Sequence, residues 1–284
     1  GGLLKAEDAS ILNNIIIYLT LPAMIFEKVL VSTISLNLWR VPVTALVVMS
    51  VCLVVAFLVG KGIALKAKTL GAFLLAAAIG NTGYLGYPIS LEIYGSQHFI
   101  KALFYDIFGT VIFIFTVGLY IAEVYGEEGA KINRLKEILT FPPLIALVAG
   151  ILLRGFPLPP FLVRAIEHLG AATIPLIMLS IGLSLRLGEV GRYKLPLTLA
   201  CLLKLILSPL VAYFVGGAIL AADVFSLGVC VLEASMPTVI LSLIFGLRYK
   251  LDTAFLSATI LITTLISMVT IPTGQYLLRM AMRG

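Results

Sequence analysis

The chain has 284 residues, 61% apolar and 12% charged, with mean hydropathy +1.12 and a formal net charge of +6. Soluble domains run near 45–50% apolar and about 25% charged, so a soluble globule, a disordered chain, a collagen-like chain and a disulfide scaffold are excluded. At roughly 20 apolar residues per crossing, the length suits nine or ten spans of an all-α polytopic membrane protein.

Nine apolar segments follow in order, near residues 10–34, 41–63, 69–94, 101–123, 138–154, 161–185, 195–220, 225–247 and 253–278. Each reads as a helix, because an open strand leaves backbone groups unpaired in lipid. The first carries Asn13 and Asn14 where it enters the membrane, as caps or substrate contacts, and Glu27 and Lys28 toward its outer end. Cys52 in the second, like Cys201 and Cys230 later, lies in an apolar run, which predicts buried free thiols.

The third segment is interrupted. Gly80-Asn-Thr-Gly-Tyr-Leu-Gly-Tyr-Pro88 holds three Gly, one Asn and one Pro in nine residues, where Gly costs about 1 kcal/mol each and Pro about 3 in a regular helix. Glu92 follows toward the outer end of the same segment, and Asp106 opens the fourth as an interfacial helix-start charge or as part of an access path. A short charged connection at 127–137 comes next, and Lys204 lies deep in the seventh segment. The eighth carries a second interruption, Glu233-Ala-Ser-Met-Pro-Thr238.

Lys and Arg are distributed unevenly between the two sides. Twelve, from Lys5 through Lys131 and Arg186 to Lys250, fall on the N-terminus and the connections after the second, fourth, sixth and eighth segments. Six (Arg40, Lys101, Arg154, Arg164, Arg279 and Arg283) fall on the other side. The positive-inside rule puts the larger set, with the central loop, in the cytoplasm of a plasma-membrane protein and the C-terminus outside. The net charge thus belongs to membrane-facing loops, and no nucleic-acid partner is implied.

Features recur at an offset near 150: Pro22 with Pro175, Cys52 with Cys201, and Pro88 with Pro237. Segments one to four then correspond to six to nine, and the fifth lacks a counterpart. Residues 1–4 read as the tail of its partner helix, in a parent of ten spans. Five spans per copy is odd, so the copies enter the membrane in opposite senses, the inverted-repeat plan of many secondary transporters. The predicted divisions are a first repeat at 1–123 lacking its first helix, a cytoplasmic linker at 124–137 and a second repeat at 138–284.

Matching interruptions in two inverted halves point to a transporter binding site. Half-helices after Pro88 and Pro237 would aim positive dipole ends at the midplane. With the Asn81 amide and the Thr82 and Thr238 hydroxyls, they suit a small carboxylate. Lys204 and Glu233 are the deepest ionisable groups, as coupling or counter-charge residues or as a structural ion pair. His98 and His168 lack metal-ligand spacing, and no catalytic motif appears; an enzyme is not expected.

Gly80-Asn-Thr-Gly-Tyr-Leu-Gly-Tyr-Pro88, Ser235-Met-Pro-Thr238 with Tyr249 after it, and Leu19-Thr-Leu-Pro-Ala-Met-Ile-Phe26 resemble the auxin efflux carrier family, over nearly the whole chain. The resemblance implies two inverted five-helix repeats, a scaffold part, and a transport part with two broken, crossing helices. It places Asn81 at the first crossing, with Pro88 and Pro237 marking the breaks. The short charged central loop resembles prokaryotic members.

The reading is a secondary carrier moving a small organic anion by alternating access. The second to fourth and seventh to ninth segments form the moving part; the first, fifth and sixth form the scaffold. Its substrate residues are Asn81, Thr82, Gly83, Pro88, Pro237 and Thr238, and its coupling or counter-charge groups are Glu233, Lys204 and Asp106. No cofactor is expected beyond a coupling proton or sodium ion, and a second copy is a candidate partner. Alternatives are a sodium-coupled symporter of the bile-acid type and a non-transporting membrane receptor or assembly protein.

Overall fold

The structure, a computed structural model, describes residues 8–32, 34–127, 133–184, 190–219 and 223–281. Lys5, Lys131, Arg186 and Arg283 of the charge count, residues 1–4, and the middle of the expected linker lie outside the described residues. The described residues are helical nearly throughout and contain no strand. The chain is an all-α polytopic membrane protein.

In chain order the helices are α1 (8–31), α2 (Arg40–Gly62), α3 (Ala67–Ala78), α4 (82–94), α5 (96–125), α6 (Arg134–Leu139), α7 (Pro142–Leu152), α8 (160–184), α9 (194–219), α10 (Val224–Ala234), α11 (Leu241–Arg248) and α12 (Thr253–Ala281). Among the described residues, six helical runs are long and apolar enough to cross a membrane, and α3, α7 and α10 are shorter apolar helices. One of the six, Thr82–Tyr125, is turned at Gly95, whose φ of 73° takes it out of the helix and separates α4 from α5. The expected fifth segment is divided: α6 ends at Leu139 with Thr140 as its cap, and Pro142, which favours an extended residue before it, restarts the chain as α7.

Three helix prolines follow a turn of π-helix, whereas Pro272 within α12 follows none. Turns of π-helix at Ile16–Thr20, Thr82–Gly86 and Leu203–Leu207 stand just before Pro22, Pro88 and Pro209. A proline ring clashes with the carbonyl four residues back and withholds one N–H, and a wider turn accommodates both losses. Pro88 therefore widens a helix already under way. The true break in the third segment lies earlier, at Ile79–Asn81, where Ile79 is extended (φ −112°, ψ 123°). This corrects the expectation that Pro88 marks it. Pro237, by contrast, lies inside its break, between Ser235 and Ile240.

The helices pack as two groups. One joins α1 to α7 and α8, with Ser180 Oγ donating to Asn13 Oδ1 at 2.6 Å. The other gathers α2 to α5 with α9 to α12. Its buried interior includes Cys52, Cys201 and Cys230, all free thiols.

Polar staples hold the second group at both ends. At one end Glu127 pairs with Lys68 (2.6 Å) and Lys250 (2.8 Å), and its N–H donates to the Tyr249 carbonyl. Asp252 nearby accepts from the Thr69 hydroxyl (2.7 Å), the Tyr193 hydroxyl (2.9 Å) and the Phe255 N–H (3.1 Å). At the other end Lys101 pairs with Asp223, which caps α10 through the Ser226 N–H, while His98 stacks on Phe225 with ring centroids 3.9 Å apart.

Gly126 leaves no room at the first staple: a Cβ there would stand 2.2 Å from the Tyr249 carbonyl oxygen and 2.6 Å from that of Ala122. Both obstacles are backbone. Gly126→Ala is expected to cost about 1–3 kcal/mol, read as a lower midpoint of thermal unfolding in detergent. Gly62→Ala, with nothing within 4 Å of the added carbon, should leave that midpoint unmoved.

The Lys250 and Lys68 ammoniums hold the Glu127 carboxyl at about 2, below the ordinary glutamate range. A depressed folded-state value means that the staple contributes fully above about pH 4.3. Its contribution is lost as the pH falls toward about 2. Glu127→Gln should therefore flatten the fall of the melting midpoint on acidification, measured against the unaltered chain.

Candidate functional site

The two breaks meet. Gly80 and Thr238 form a single antiparallel bridge. The Asn81 N–H donates to the Pro237 carbonyl at 2.7 Å, and the Val239 N–H donates to the Ile79 carbonyl at 3.1 Å. Backbone groups freed where a helix stops in lipid must be satisfied by protein or water. Each break here supplies part of what the other lacks.

The helix ends facing the crossing are finished by side chains. The Thr238 hydroxyl donates to the Ala76 carbonyl at 2.8 Å in the last turn of α3. The Thr263 hydroxyl of α12 accepts from the Thr238 N–H at 3.2 Å. At the end of α10, the Ala234 carbonyl accepts from Lys204 Nζ at 2.8 Å and from Ser208 Oγ at 2.9 Å. A cation at a helix C-terminus also meets the negative end of the dipole.

The N-terminal end of α4 is left open, and that of α11 is closed only from its second residue on, where the Ser242 and Leu243 N–H groups donate to the Val239 (3.3 Å) and Ile240 (2.9 Å) carbonyls. The Asn81 carbonyl accepts from the Leu85 and Gly86 N–H groups, whereas its side chain does not cap the helix. First-turn N–H groups have no partner within their own helix. The residues that carry them, Thr82 to Tyr84 and Ile240 to Leu241, line one cavity of about 150 Å³. That volume resembles cavities that hold a benzene-sized molecule. Asn81 joins the lining, and the opposite wall comes from Asn13, Ile17 and Leu21 of α1 with Phe141 and Pro143 around the start of α7. The cavity thus lies between the two helix groups.

Asp106 is on the cavity wall and 7% exposed, so it is not the interfacial helix-start charge of one reading. Its carboxylate accepts from the Thr82 hydroxyl at 2.5 Å and the Tyr87 hydroxyl at 2.6 Å. Gly83 stands beside it, where a Cβ would lie 3.2 Å from Asp106 Oδ2. The turn of π-helix at Asp106–Val111 carries Asp106, Thr110 and Val111 into the lining, and no proline follows it.

Five residues expected at the substrate site or as its partners fall elsewhere. Thr238 is fully buried, with its hydroxyl engaged by Ala76, and Pro237 contributes a carbonyl to the crossing. Pro88 is buried one turn beyond the lining residues. Lys204 and Glu233 form no ion pair: Lys204 is bonded to Ala234 and Ser208, and both Glu233 oxygens lack hydrogen-bond partners. Asn13 lines the cavity, whereas Asn14 is exposed. Glu27 and Lys28 pair with each other at 2.6 Å, half-buried.

Tyr87, Ser208 and Thr263 were missed from the sequence. Ser208 stands one helical turn after Lys204, a spacing that joins side chains on one face, so it could have been found. Thr263 carries no such signal, because only the fold brings it to Thr238.

Residues 1–273 match a family model described as membrane transport protein. An uncharacterized transporter of Methanocaldococcus jannaschii is 35% identical, over 98% of this chain and 92% of its own length. An uncharacterized transporter of Methanothermobacter thermautotrophicus is 33% identical, over 95% and 89%. A protein of Rhizobium meliloti, provisionally named a malonate transporter, is 28% identical, over 94% and 86%.

Lys204→Met removes the charged cap of α10 and leaves the crossing short of a donor. A lost buried hydrogen bond of this kind costs about 1–3 kcal/mol. Thr238→Val should cost a similar amount by freeing the Ala76 carbonyl. Thermal unfolding of both variants in detergent checks the assignment of these side chains to the crossing.

Proposed function

The chain belongs to the membrane transport protein family, the auxin efflux carriers, and from that membership we propose that it moves a small carboxylate across the membrane as a secondary carrier. The observation that carries the proposal is the cavity onto which α4 and α11 both open their first turns beside Asn81. Two helix N-termini present roughly half a positive charge each, with N–H groups directed at the ligand. The Asn81 amide adds a neutral donor, and the apolar wall of Ile17, Leu21, Ile114 and Phe141 excludes water around a short carbon chain. The provisional name of the Rhizobium meliloti relative makes malonate the first substrate to try.

Alternating access follows if the two helix groups move against each other across the cavity. The staples at Glu127, Asp252 and Asp223 support the larger group's moving as one body. In this reading α1, α7 and α8 are the scaffold, and the chain divides into inverted repeats at 1–123 and 138–284. The broken pairs α3–α4 and α10–α11 support that division. The central loop then faces the cytoplasm and the C-terminus lies outside, in the plasma membrane. Asp106 beside the bound anion, and Glu233 and Lys204 behind the crossing, are the coupling and counter-charge groups. The transporter relatives favour this reading over an enzyme.

The test is uptake of labelled malonate into liposomes holding the purified chain. Uptake should saturate, and Asn81→Ala should weaken malonate binding tenfold or more. Binding unchanged by that substitution overturns the site, and binding without uptake points to a receptor instead.

A further inference from the structure

Three ionisable side chains are buried around the crossing, and their surroundings differ. Asp106 accepts two hydroxyl hydrogen bonds. An ionised carboxylate is an acceptor only, so that pair of donors suits it. Lys204 is a donor, and the Ala234 carbonyl and Ser208 hydroxyl receive it. Glu233 is fully buried, yet neither of its oxygens has a hydrogen-bond partner.

Glu233 also sits where nothing else fits. A Cβ built on Gly86 would stand 2.0 Å from Glu233 Oε2, so the carboxyl group lies directly against the backbone of α4. The titratable groups near enough to act on it electrostatically are Lys204 from α9, Asp106 and Tyr105 from α5, Tyr87 from α4 and Cys230 from its own helix. The single cation among them is already bonded at Ala234. An unpaired buried carboxylate costs far more than a neutral acid whose hydroxyl and carbonyl both lack hydrogen bonds.

We propose that Glu233 is a proton-carrying site, held as the neutral acid in this conformation, and that it rather than Asp106 couples proton movement to the carrier cycle. The proposal rests on the carrier reading above. Its direction comes from position: Gly86 lies one turn beyond Thr82 and Gly83, which line the anion cavity. If Glu233 loses its proton to water, a negative charge remains on the carboxylate behind the same turn that faces the anion. Like charges so placed repel, and this charge would add to that of the Asp106 carboxylate already on the cavity wall, so the anion loads with the proton and leaves with it.

The test is infrared spectroscopy of the full chain in lipid at neutral pH, reading the carbonyl stretch of a protonated carboxylic acid. The band should be present in the unaltered chain, absent in Glu233→Gln and retained in Asp106→Asn. Gly86→Ala, which forces the carboxyl from its place, should shift or abolish it, and this variant decides the matter if Glu233→Gln does not fold. A chain without the band, a band kept in Glu233→Gln, or one unmoved by Gly86→Ala overturns the proposal. In liposomes with an internal pH dye, Glu233→Gln should cut the proton movement accompanying dicarboxylate uptake at least tenfold; undiminished movement also overturns it. Absence of any uptake by the unaltered chain overturns the carrier reading and leaves the infrared result standing.

Discussion

A helix that stops inside a bilayer must find partners for the backbone groups it releases, and here two stopped helices find them in each other. The two hydrogen bonds between Ile79–Asn81 and Pro237–Val239 form the hub of the larger helix group. Around it, Thr238 closes the end of α3, while Lys204 and Ser208 close the end of α10. The carbonyl ends are thus satisfied within the protein, and the amide ends of α4 and α11 open on a shared cavity. Completing one set of ends leaves the other facing the space where an anion is favoured.

Much of this is visible in the residues. Gly80 and Asn81 stand where the helix stops, although Gly83 and Gly86 lie in the turn of π-helix that opens α4, and the second interruption stands at Ser235-Met-Pro-Thr238. The prolines mislead in part. Pro237 lies in its break, but Pro88 lies beyond its own and widens a turn, because a proline can be absorbed by π geometry whereas the Gly80–Asn81 step cannot hold helical form. Charge pairing was harder to read. Depth alone made Lys204 and Glu233 look like partners, yet Lys204 is drawn to the carbonyl end of α10. Asp106, read from its place at a segment start, is instead buried by contacts with Thr82 and Tyr87 on another helix. Such contacts join residues about twenty apart in the chain, beyond the reach of any local pattern.

The staples explain how a group built on two breaks stays in one piece. The helices α3, α10 and α11 have no more than a dozen residues each, although α3 and α10 are buried along most of their length. Glu127 and Asp252 at one end and Asp223 at the other tie these short helices to the longer α5, α9 and α12. On the side of the smaller group the cavity wall is mostly apolar, with Ile17 and Leu21 of α1 and Phe141 and Pro143 around the start of α7 beside Asn13, and apolar surfaces can slide without breaking hydrogen bonds.

The lengths of the half-helices bear on membrane voltage. Twelve residues of α3 rise roughly 18 Å and eleven of α10 roughly 16 Å, each a little over half of a hydrocarbon core of about 30 Å. A charge resting at their meeting point therefore has about half of the electrical drop on either side. On the carrier reading, each 100 mV weighs on loading from either face by about 1 kcal/mol per unit charge. A monoanion escorted by one proton carries no net charge through that field, whereas a dianion such as malonate keeps one negative charge, so polarising the cell would leave the first nearly untouched and still bias the second.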